Sequence, residues 1–240
     1  MILDAQPISN MQMLLNNWFI ALLAFLVAYL LGSINTAVIV TRVVTKGKED
    51  IRNMGSGNAG FTNVLRSVGK VPAIFTIVFD FLKSVIAVII GGVVSAYIFN
   101  GSPDVNGIIV IGKYLCGFFC ILGHSYPIFF KFKGGKGIVT AAGMMLVADW
   151  RVFVMILSTF LIVFIFSKII SLASITCACL FPVYTLILTL IDYFNFGYSI
   201  YYVILCTAAA FMIGLFVVIK HSDNIKRLRA GEEKKITAKK

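Results

Sequence analysis

Charged residues are scarce in this chain of 240 residues, at 13% against about 25% in a typical soluble domain. Hydrophobic residues make up 60% of the sequence, whereas about 45–50% is usual for a soluble protein. Such a chain has too little polar surface to cover itself in water. A soluble globular fold is therefore excluded, and the surplus of apolar side chains requires lipid as its solvent.

Metal-ligating side chains are also few, with two histidines and five cysteines. All five cysteines lie in apolar stretches, where cysteine behaves as a small hydrophobic residue. Cys177 and Cys179 have the spacing CxC, which is not the spacing of a zinc site. We therefore expect neither a zinc site nor a disulfide framework.

Seven long apolar segments follow one another along the chain, interrupted by short polar loops. They occupy residues 17–41, 72–99, 108–130, 137–148, 150–167, 170–191 and 198–220. A helix needs about 20 residues to cross the hydrocarbon core. Five segments meet that length, while the fourth and fifth are either two short tilted helices or one re-entrant hairpin. The prediction is an all-α, polytopic membrane bundle of about seven transmembrane helices, forming a single domain over residues 1–240.

Segments without Lys or Arg alternate with basic segments along the chain, apart from Arg151 between the fourth and fifth apolar segments. Residues 1–16 contain none, which argues against a signal peptide, and residues 100–107 and 192–197 contain none either. The intervening loops and the C-terminal tail do carry basic residues. Because basic loops stay on the cytoplasmic side, we expect a cell-membrane protein with its N-terminus outside and its C-terminus in the cytoplasm. Residues 223–240 are then a basic cytoplasmic tail.

A first glycine-rich segment, GSGNAGFTN at residues 55–63, includes Ser56, Gly57 and Asn58 and follows Arg52. Glycines permit sharp bends that direct backbone N–H groups at an anion, and arginine binds phosphate through paired donors. The segment is not a Walker A loop, because the Gly-Lys-Ser/Thr ending is absent. An ordinary turn-rich loop with topological charge explains it about equally well.

A second glycine-rich segment, FKGGKG at residues 132–137, places lysines beside Gly134 and Gly135. Membrane topology requires the lysines but not the glycines, so an open backbone nest for phosphate is the favoured interpretation. Lys133 and Lys136 are both candidates for the cation that binds the phosphate.

Three further polar features lie within or at the ends of the predicted helices. Asp80 and Lys83 are spaced i, i+3, and an ion pair inside a membrane helix is costly enough to suggest a function. Ser171 and Ser174 lie one turn apart, where helix packing is the simpler explanation. His221 ends the last apolar segment and is a candidate base, phosphate ligand or interfacial anchor.

Together these segments resemble the bacterial acyl-phosphate:glycerol-3-phosphate acyltransferase family (PlsY). The matching motifs occur in the family's order over nearly the whole chain and are GSIN at 32–35, DIR at 50–52, GSGNAGFTN at 55–63, FDFLK at 79–83, GH at 123–124, FKGGKGIVT at 132–140, SLASI at 171–175 and HSDNIKRL at 221–228. Asn35, Phe61 and Ser84 depart from the residues usual in the family. None of these departures removes a charged or hydrogen-bonding candidate.

The resemblance implies transfer of a fatty acyl group from acyl phosphate to the 1-hydroxyl of glycerol 3-phosphate, which yields lysophosphatidate and inorganic phosphate. It also implies that the reaction requires no metal and no cofactor. Membrane lipids are the expected surroundings, and nucleic acid is not an expected partner. The catalytic candidates are Ser33, Asn58, Lys136, Ser174, His221 and Asn224. The candidates for phosphate binding are Arg52, Ser56, Gly57, Lys133, Gly134 and Gly135. The alternative function is a multi-pass transporter of a phosphorylated or anionic solute, which the clustering of polar segments at one face disfavours.

Overall fold

The computed structural model describes residues 9–235, and the regular secondary structure of this part of the chain is helical, without strands. The α-helices are Asn10–Ser33 (α1), Thr36–Val44 (α2), Phe61–Ser67 (α3), Lys70–Ile98 (α4), Val105–Ser125 (α5), Ile138–Ala148 (α6), Trp150–Ser167 (α7), Ile170–Phe196 (α8), Ile200–Lys220 (α9) and Ser222–Arg229 (α10). Short 3-10 turns lie at Ile51–Asn53 and Ile128–Phe130. Residues 1–8 of the predicted outer N-terminus and residues 236–240 of the predicted tail lie outside the described residues. The predicted all-α fold is confirmed.

Six helical segments within residues 9–235 are long and apolar enough to cross a membrane. They are Asn10–Val44, Lys70–Ile98, Val105–Phe130, Trp150–Ser167, Ile170–Phe196 and Ile200–Lys220. The remaining apolar helix, α6, has 11 residues. It rises only about 16 Å, against about 30 Å of hydrocarbon. The polytopic bundle is thus confirmed, while the count of seven spans and the orientation of the termini stay predictions.

The first predicted span, residues 17–41, is not one continuous helix. α1 ends at Ser33, and the backbone at Ile34 and Asn35 is extended, with ψ of 99° and 95°. The Asn35 side chain accepts a hydrogen bond from the N–H of Val38 at 3.1 Å and so starts α2 as its N-cap. An asparagine side chain that bonds the backbone in this way favours a helix start over a continuing helix. The GSIN motif is therefore a helix interruption inside the first apolar segment.

Glycines mark the places where helices of the bundle approach most closely. A Cβ added to Gly123 of α5 would overlap the carbonyl oxygen of Tyr29 in α1, and one on Gly143 of α6 would lie 2.5 Å from the carbonyl oxygen of Phe81 in α4. Lipid offers no hydrophobic drive for helices to associate, so close backbone packing through small residues takes its place.

Apolar side chains divide between the bundle interior and its lipid-facing surface. Ile121, Met144 and Phe181 are buried in the main cluster. Phe166 and Phe194 are 85% and 76% exposed. Large exposed apolar residues on long helices are expected where hydrocarbon replaces water.

Polar side chains collect at the two ends of the bundle. The basic end comprises residues 45–60, residues 126–137 and α10. The opposite end carries the α6–α7 and α8–α9 connections. There Arg151 donates to both carboxylate oxygens of Asp192, at 2.7 and 2.8 Å, and to Asp149 at 2.7 Å. Tyr202 also donates to Asp192, at 2.9 Å, so that α7, α8 and α9 are joined at this end.

We expect Gly123→Ala to lower the midpoint of thermal unfolding in detergent, because the added methyl group pushes α5 from the backbone of α1. Overpacking of this kind costs about 1–3 kcal/mol. The matched control is Gly92→Ala in α4, where the nearest atom is the Cε of the flexible Lys113 side chain at 3.0 Å. A thiol-reactive dye that reports exposure of the buried cysteines measures both midpoints. Equal midpoints for the two variants would contradict the assigned packing.

Candidate active site

The segment 131–137 folds back onto the end of α5. The N–H of Gly134 donates to the carbonyl of Ser125 at 3.2 Å, and the N–H of Gly135 donates to that of His124 at 3.1 Å. A Cβ on either glycine would overlap His124, so only glycine permits this approach. Because both N–H groups are bound to carbonyls, the open backbone nest predicted at Gly134 and Gly135 is not formed. These glycines instead bring the rest of the segment close to the bundle.

This folding places Lys136 against α10, where its Nζ donates to Asn224 Oδ1. Asn224 in turn donates from Nδ2 to Glu233 Oε1 at 2.7 Å. Burial, together with the positive charge of Arg227, lowers the pKa of Lys136 to about 8. Lys133, in contrast, is exposed. Of the two candidate lysines, Lys136 is the one that the fold brings into the polar cluster.

The carboxylate of Glu233 is a central member of this cluster, and sequence reasoning missed it. Its oxygens accept hydrogen bonds from Ser171 Oγ at 2.8 Å, Asn224 Nδ2 at 2.7 Å and Arg227 Nε at 2.7 Å. Burial raises the pKa of Glu233, but these hydrogen bonds outweigh it and the net shift is downward. Gly231, with φ of 72°, makes the turn that returns the chain after α10. The available signal was the Gly-Glu-Glu that follows a basic amphipathic helix.

His221 lies at the joint between α9 and α10 and is 3% exposed. Its Nδ1 must donate to the carbonyl of Val217, 2.8 Å away, because a carbonyl can only accept. Nε2 therefore carries the lone pair. Burial is the main reason that the pKa of His221 is lowered to about 4, and the nearby Lys136 adds to the effect. The imidazole is neutral at neutral pH and can accept a hydrogen bond from a hydroxyl group.

The first glycine-rich loop is organised by Asn63. The Asn63 side chain accepts from the N–H of Ser56 at 3.0 Å and donates to the carbonyls of Ile51 and Met54 at 3.1 and 2.9 Å. Asn63 is 2% exposed, whereas Ser56 is exposed at the loop's outer edge. One buried amide thus adds three side-chain hydrogen bonds to the backbone of this turn.

The two glycine-rich loops touch each other at the basic end. A Cβ on Gly135 would lie 2.7 Å from the carbonyl oxygen of Ala59. Asn58, which is half-buried, therefore neighbours the segment that carries Lys136. Gly57 has φ of 70° and stays at the exposed edge. The structure thus brings the predicted residues of both loops to one end of the bundle.

Arg52 joins the same two loops but is already paired with a carboxylate. Its Nε and Nη2 donate to the two oxygens of Asp50, at 2.9 and 2.7 Å, and its Nη1 donates to the carbonyl of Phe130 at 2.7 Å. The hydrogen bond from Arg52 holds the pKa of Asp50 well below its usual range, and the pKa of Arg52 is raised by the same contact. A phosphate at Arg52 would have to share the guanidinium with Asp50.

The two serines predicted as catalytic lie in different surroundings. Ser33, at the end of α1, donates to the carbonyl of Tyr29 at 2.9 Å and accepts from the N–H of Ile128 at 3.4 Å. It therefore ties the interruption after α1 to the loop after α5. Ser174 is 1% exposed and lies one turn beyond Ser171 in α8.

Ser174 lines an apolar cavity of about 280 Å³ between α4, α6, α7, α8 and α9. Its other lining residues are apolar or glycine, among them Phe81, Phe160 and Phe181. The lining also includes Val217, one turn before His221 in α9. The polar cluster around Lys136 and Asn224 therefore adjoins a space suited to a hydrocarbon chain.

Fold and site together define a polytopic membrane protein equipped for ligands with an anionic head and an apolar tail. The sequence profile described as glycerol-3-phosphate acyltransferase matches residues 22–231, and the chain belongs to this family. The glycerol-3-phosphate acyltransferase of Idiomarina loihiensis is 37% identical over 215 residues, which cover 90% of this chain and 95% of that relative. The enzyme of the same name from Shewanella loihica is 39% identical over 222 residues, with coverages of 92% and 95%.

Two crystal structures of PlsY (YgiH), an integral membrane glycerol 3-phosphate acyltransferase, are also similar. Both are 32% identical to this chain and cover 90% of it. The glycerol 3-phosphate form has a TM-score of 0.67 and the lysophosphatidic acid form one of 0.65, with 96% and 95% of those chains covered. The predicted family and the predicted multi-pass membrane protein are confirmed. The transporter alternative receives no support from these similarities.

We expect Glu233→Ala to lower both the thermal midpoint and the activity, because Ser171, Asn224 and Arg227 lose their common acceptor. Hydrogen bonds to a charged group contribute about 1.5–3 kcal/mol each. The control is Glu232→Ala, which removes an exposed carboxylate of the adjacent residue. Thermal unfolding and acyl transfer are measured for both variants. Unchanged behaviour of Glu233→Ala would mean that the carboxylate does not hold Asn224.

Proposed function

We propose that this chain transfers a fatty acyl group from acyl phosphate to the 1-hydroxyl of glycerol 3-phosphate, releasing lysophosphatidate and inorganic phosphate. One observation carries the proposal. Lys136, Asn224 and His221 meet at the basic end, directly beside an apolar cavity that has Ser174 in its wall. An acyl phosphate has the same division, with an anionic head joined to a hydrocarbon tail.

The acyl tail is assigned to the apolar cavity between α4, α6, α7, α8 and α9. Apolar surface of the tail is removed from water there, and almost no polar group of the protein is buried by it. Ile138 and Val139, which follow the Lys136 segment at the start of α6, are part of its lining. A tail in the cavity therefore leaves the acyl carbon and its phosphate near the ammonium group of Lys136. Ser174 supplies a hydroxyl group where tail and head join.

The phosphates of two substrates need two sets of donors. Lys136 and Asn224 form the inner set, which we assign to the acyl phosphate. The outer set lies along the edges of the two loops and is assigned to glycerol 3-phosphate. Its members are Arg52, Ser56, Gly57 and Lys133. Asn58, which precedes the Ala59 that approaches Gly135, is assigned to orienting the attacking hydroxyl.

The chemistry asks for orientation and charge stabilisation more than for activation. The 1-hydroxyl oxygen attacks the acyl carbon, the carbon–oxygen bond to phosphate breaks, and phosphate leaves with that electron pair. Holding the two reactants side by side supplies the entropic part of the rate increase. We assign Lys136 and the amide of Asn224 to stabilising negative charge on the acyl oxygen and on the leaving phosphate.

The hydroxyl proton has two acceptors within this arrangement. One is Nε2 of His221, which carries a lone pair because Nδ1 donates to Val217. The other is an oxygen of the substrate phosphate. A proton taken up by His221 passes to the released phosphate. In either case the proton therefore leaves the site on inorganic phosphate.

We expect Lys136→Ala to lower acyl transfer at least about 10²-fold, because one preorganised charge at the reacting centre is removed. Purified protein is assayed with palmitoyl phosphate and glycerol 3-phosphate, with lysophosphatidate as the product measured and acyl-CoA as the control donor. The matched variant is Lys48→Ala, which removes an exposed lysine from the same end of the bundle. Near-normal activity of Lys136→Ala, with intact folding, would exclude Lys136 as an essential phosphate ligand.

The pH dependence follows from the lowered pKa of Lys136, which is about 8. Below this pH the ammonium is charged, and above it the charge is lost, so kcat/KM should fall as pH rises through about 8. A bound phosphate favours the charged form, so kcat should fall only at higher pH. In Lys136→Arg the guanidinium stays charged, and the decline near pH 8 should disappear. A wild-type kcat/KM that is flat to pH 10, after subtraction of uncatalysed hydrolysis, would contradict this assignment.

A further inference from the structure

A buried charged network lies beneath the two glycine-rich loops. Asp80 and Lys83 of α4 are 2% and 7% exposed, and Lys83 Nζ lies 2.8 Å from Asp80 Oδ1. His124 of α5 is 4% exposed and is the third member. Charges at such depth cost stability and persist only when fully partnered. None of the three belongs to the catalytic or phosphate-binding candidates named above.

Every hydrogen of the Lys83 ammonium group has an acceptor. They are Asp80 Oδ1 at 2.8 Å, the carbonyl of Ile34 at 2.8 Å and His124 Nδ1 at 3.0 Å. An ammonium group donates three hydrogen bonds and accepts none. His124 Nδ1 must then be the acceptor, which places the imidazole proton on Nε2. The network thereby sets both the tautomer and the orientation of His124.

The network also supports the helix interruption that follows Ser33. Lys83 bonds the carbonyl of Ile34, which lies in the extended stretch between α1 and α2. Asp80 accepts from Thr36 Oγ1 at 3.2 Å, at the first residue of α2. The interruption and the start of α2 are therefore both held by one ion pair in α4.

His124 carries the same support to the segment of Lys136. Its carbonyl accepts from the N–H of Gly135, and its ring packs where a Cβ of Gly135 would be. Gly135 directly precedes Lys136, so a displaced ring would displace the backbone that presents this ammonium group. A misplacement of about 1 Å is enough to cost about 10²-fold in rate.

We propose that Asp80, Lys83 and His124 are positioning residues for acyl transfer, which hold the Ser33 interruption and the Lys136 segment in register without touching substrate. The inference rests on the proposed function, because the register matters only if these segments serve one site. It assigns the intramembrane ion pair a role in the reaction rather than in stability alone.

The test compares single and double variants of the ion pair. Asp80→Asn or Lys83→Met leaves one buried charge unpaired and should lower both stability and activity. The double variant Asp80→Asn/Lys83→Met buries no charge, so its thermal midpoint should return towards that of the wild type. Its kcat should stay about 10²-fold low, because Ile34 and His124 have lost their donor. The double variant keeps the test decisive if a single variant does not fold.

The control weakens a partly buried ion pair far from the site. Asp192→Asn removes the carboxylate charge that pairs with Arg151 at the opposite end of the bundle. It should lower the thermal midpoint while leaving the kcat of the folded protein unchanged. The activities of Asp192→Asn and of the double variant are both expressed per amount of folded protein. This amount is measured by size-exclusion chromatography in detergent.

A conservative replacement of His124 separates positioning from filling of space. The amide oxygen of His124→Asn can accept from Lys83 as Nδ1 does, whereas His124→Ala has no acceptor. We expect the kcat of His124→Asn to be about tenfold higher than that of His124→Ala, which is the effect of one hydrogen bond to a charged group.

Three results would overturn the inference. The first is a wild-type kcat in the double variant Asp80→Asn/Lys83→Met. The second is a loss of kcat in Asp192→Asn as large as that in the double variant. The third is an equal kcat for the two His124 variants. A wild-type protein that forms no lysophosphatidate at all would instead reject the proposed function, and the two failures are thus distinct.

Discussion

Water is excluded from most of this bundle, so a charged group can remain inside only where its donors and acceptors are all matched. Lys83 meets this condition with three acceptors, which lie in α4, in α5 and in the interruption after α1. The same requirement applies to the buried carboxylate of Asp192, which accepts from Arg151 and Tyr202 at the opposite end. Each buried charge therefore dictates where several segments must lie. The loops at the basic end are positioned by such contacts, which therefore also fix the positions of the site residues that these loops carry.

Water is only partly excluded from the polar cluster around Lys136 and Asn224. Lys136 is half-buried, and its lowered pKa reflects the cost of keeping an ammonium group away from water. An anion that enters such a site gains more from the charge than it would in bulk solvent. Glu233 accepts from Asn224 and so holds it against Lys136. Its hydrogen bond from Ser171 also ties the segment after α10 to α8. An apolar cavity directly beside a desolvated cation suits a substrate that joins a hydrocarbon tail to a phosphate.

Much of the fold could be predicted from residue type alone. Long apolar runs predicted helices in the observed places, and the motifs around Asn58, Lys136 and His221 predicted the polar end. Two predictions were wrong because they required knowledge of partners distant in the chain. The N–H groups of Gly134 and Gly135 were expected to be open, yet the end of α5 provides carbonyls for both. The first apolar run was expected to be continuous, yet its Ile34 carbonyl bonds Lys83 instead.

The sequence by itself determined which stretches are helical and membrane-embedded, because hydropathy and glycine content act over neighbouring residues. It also determined the family, since motif order is a property of the chain. Only the tertiary structure decided which lysine meets Asn224, 88 residues away, and that Glu233 bonds Ser171 across 62 residues. The same holds for the three partners of Lys83. Such contacts depend on how the helices pack, and local residue patterns contain no information on distances between segments far apart in the chain.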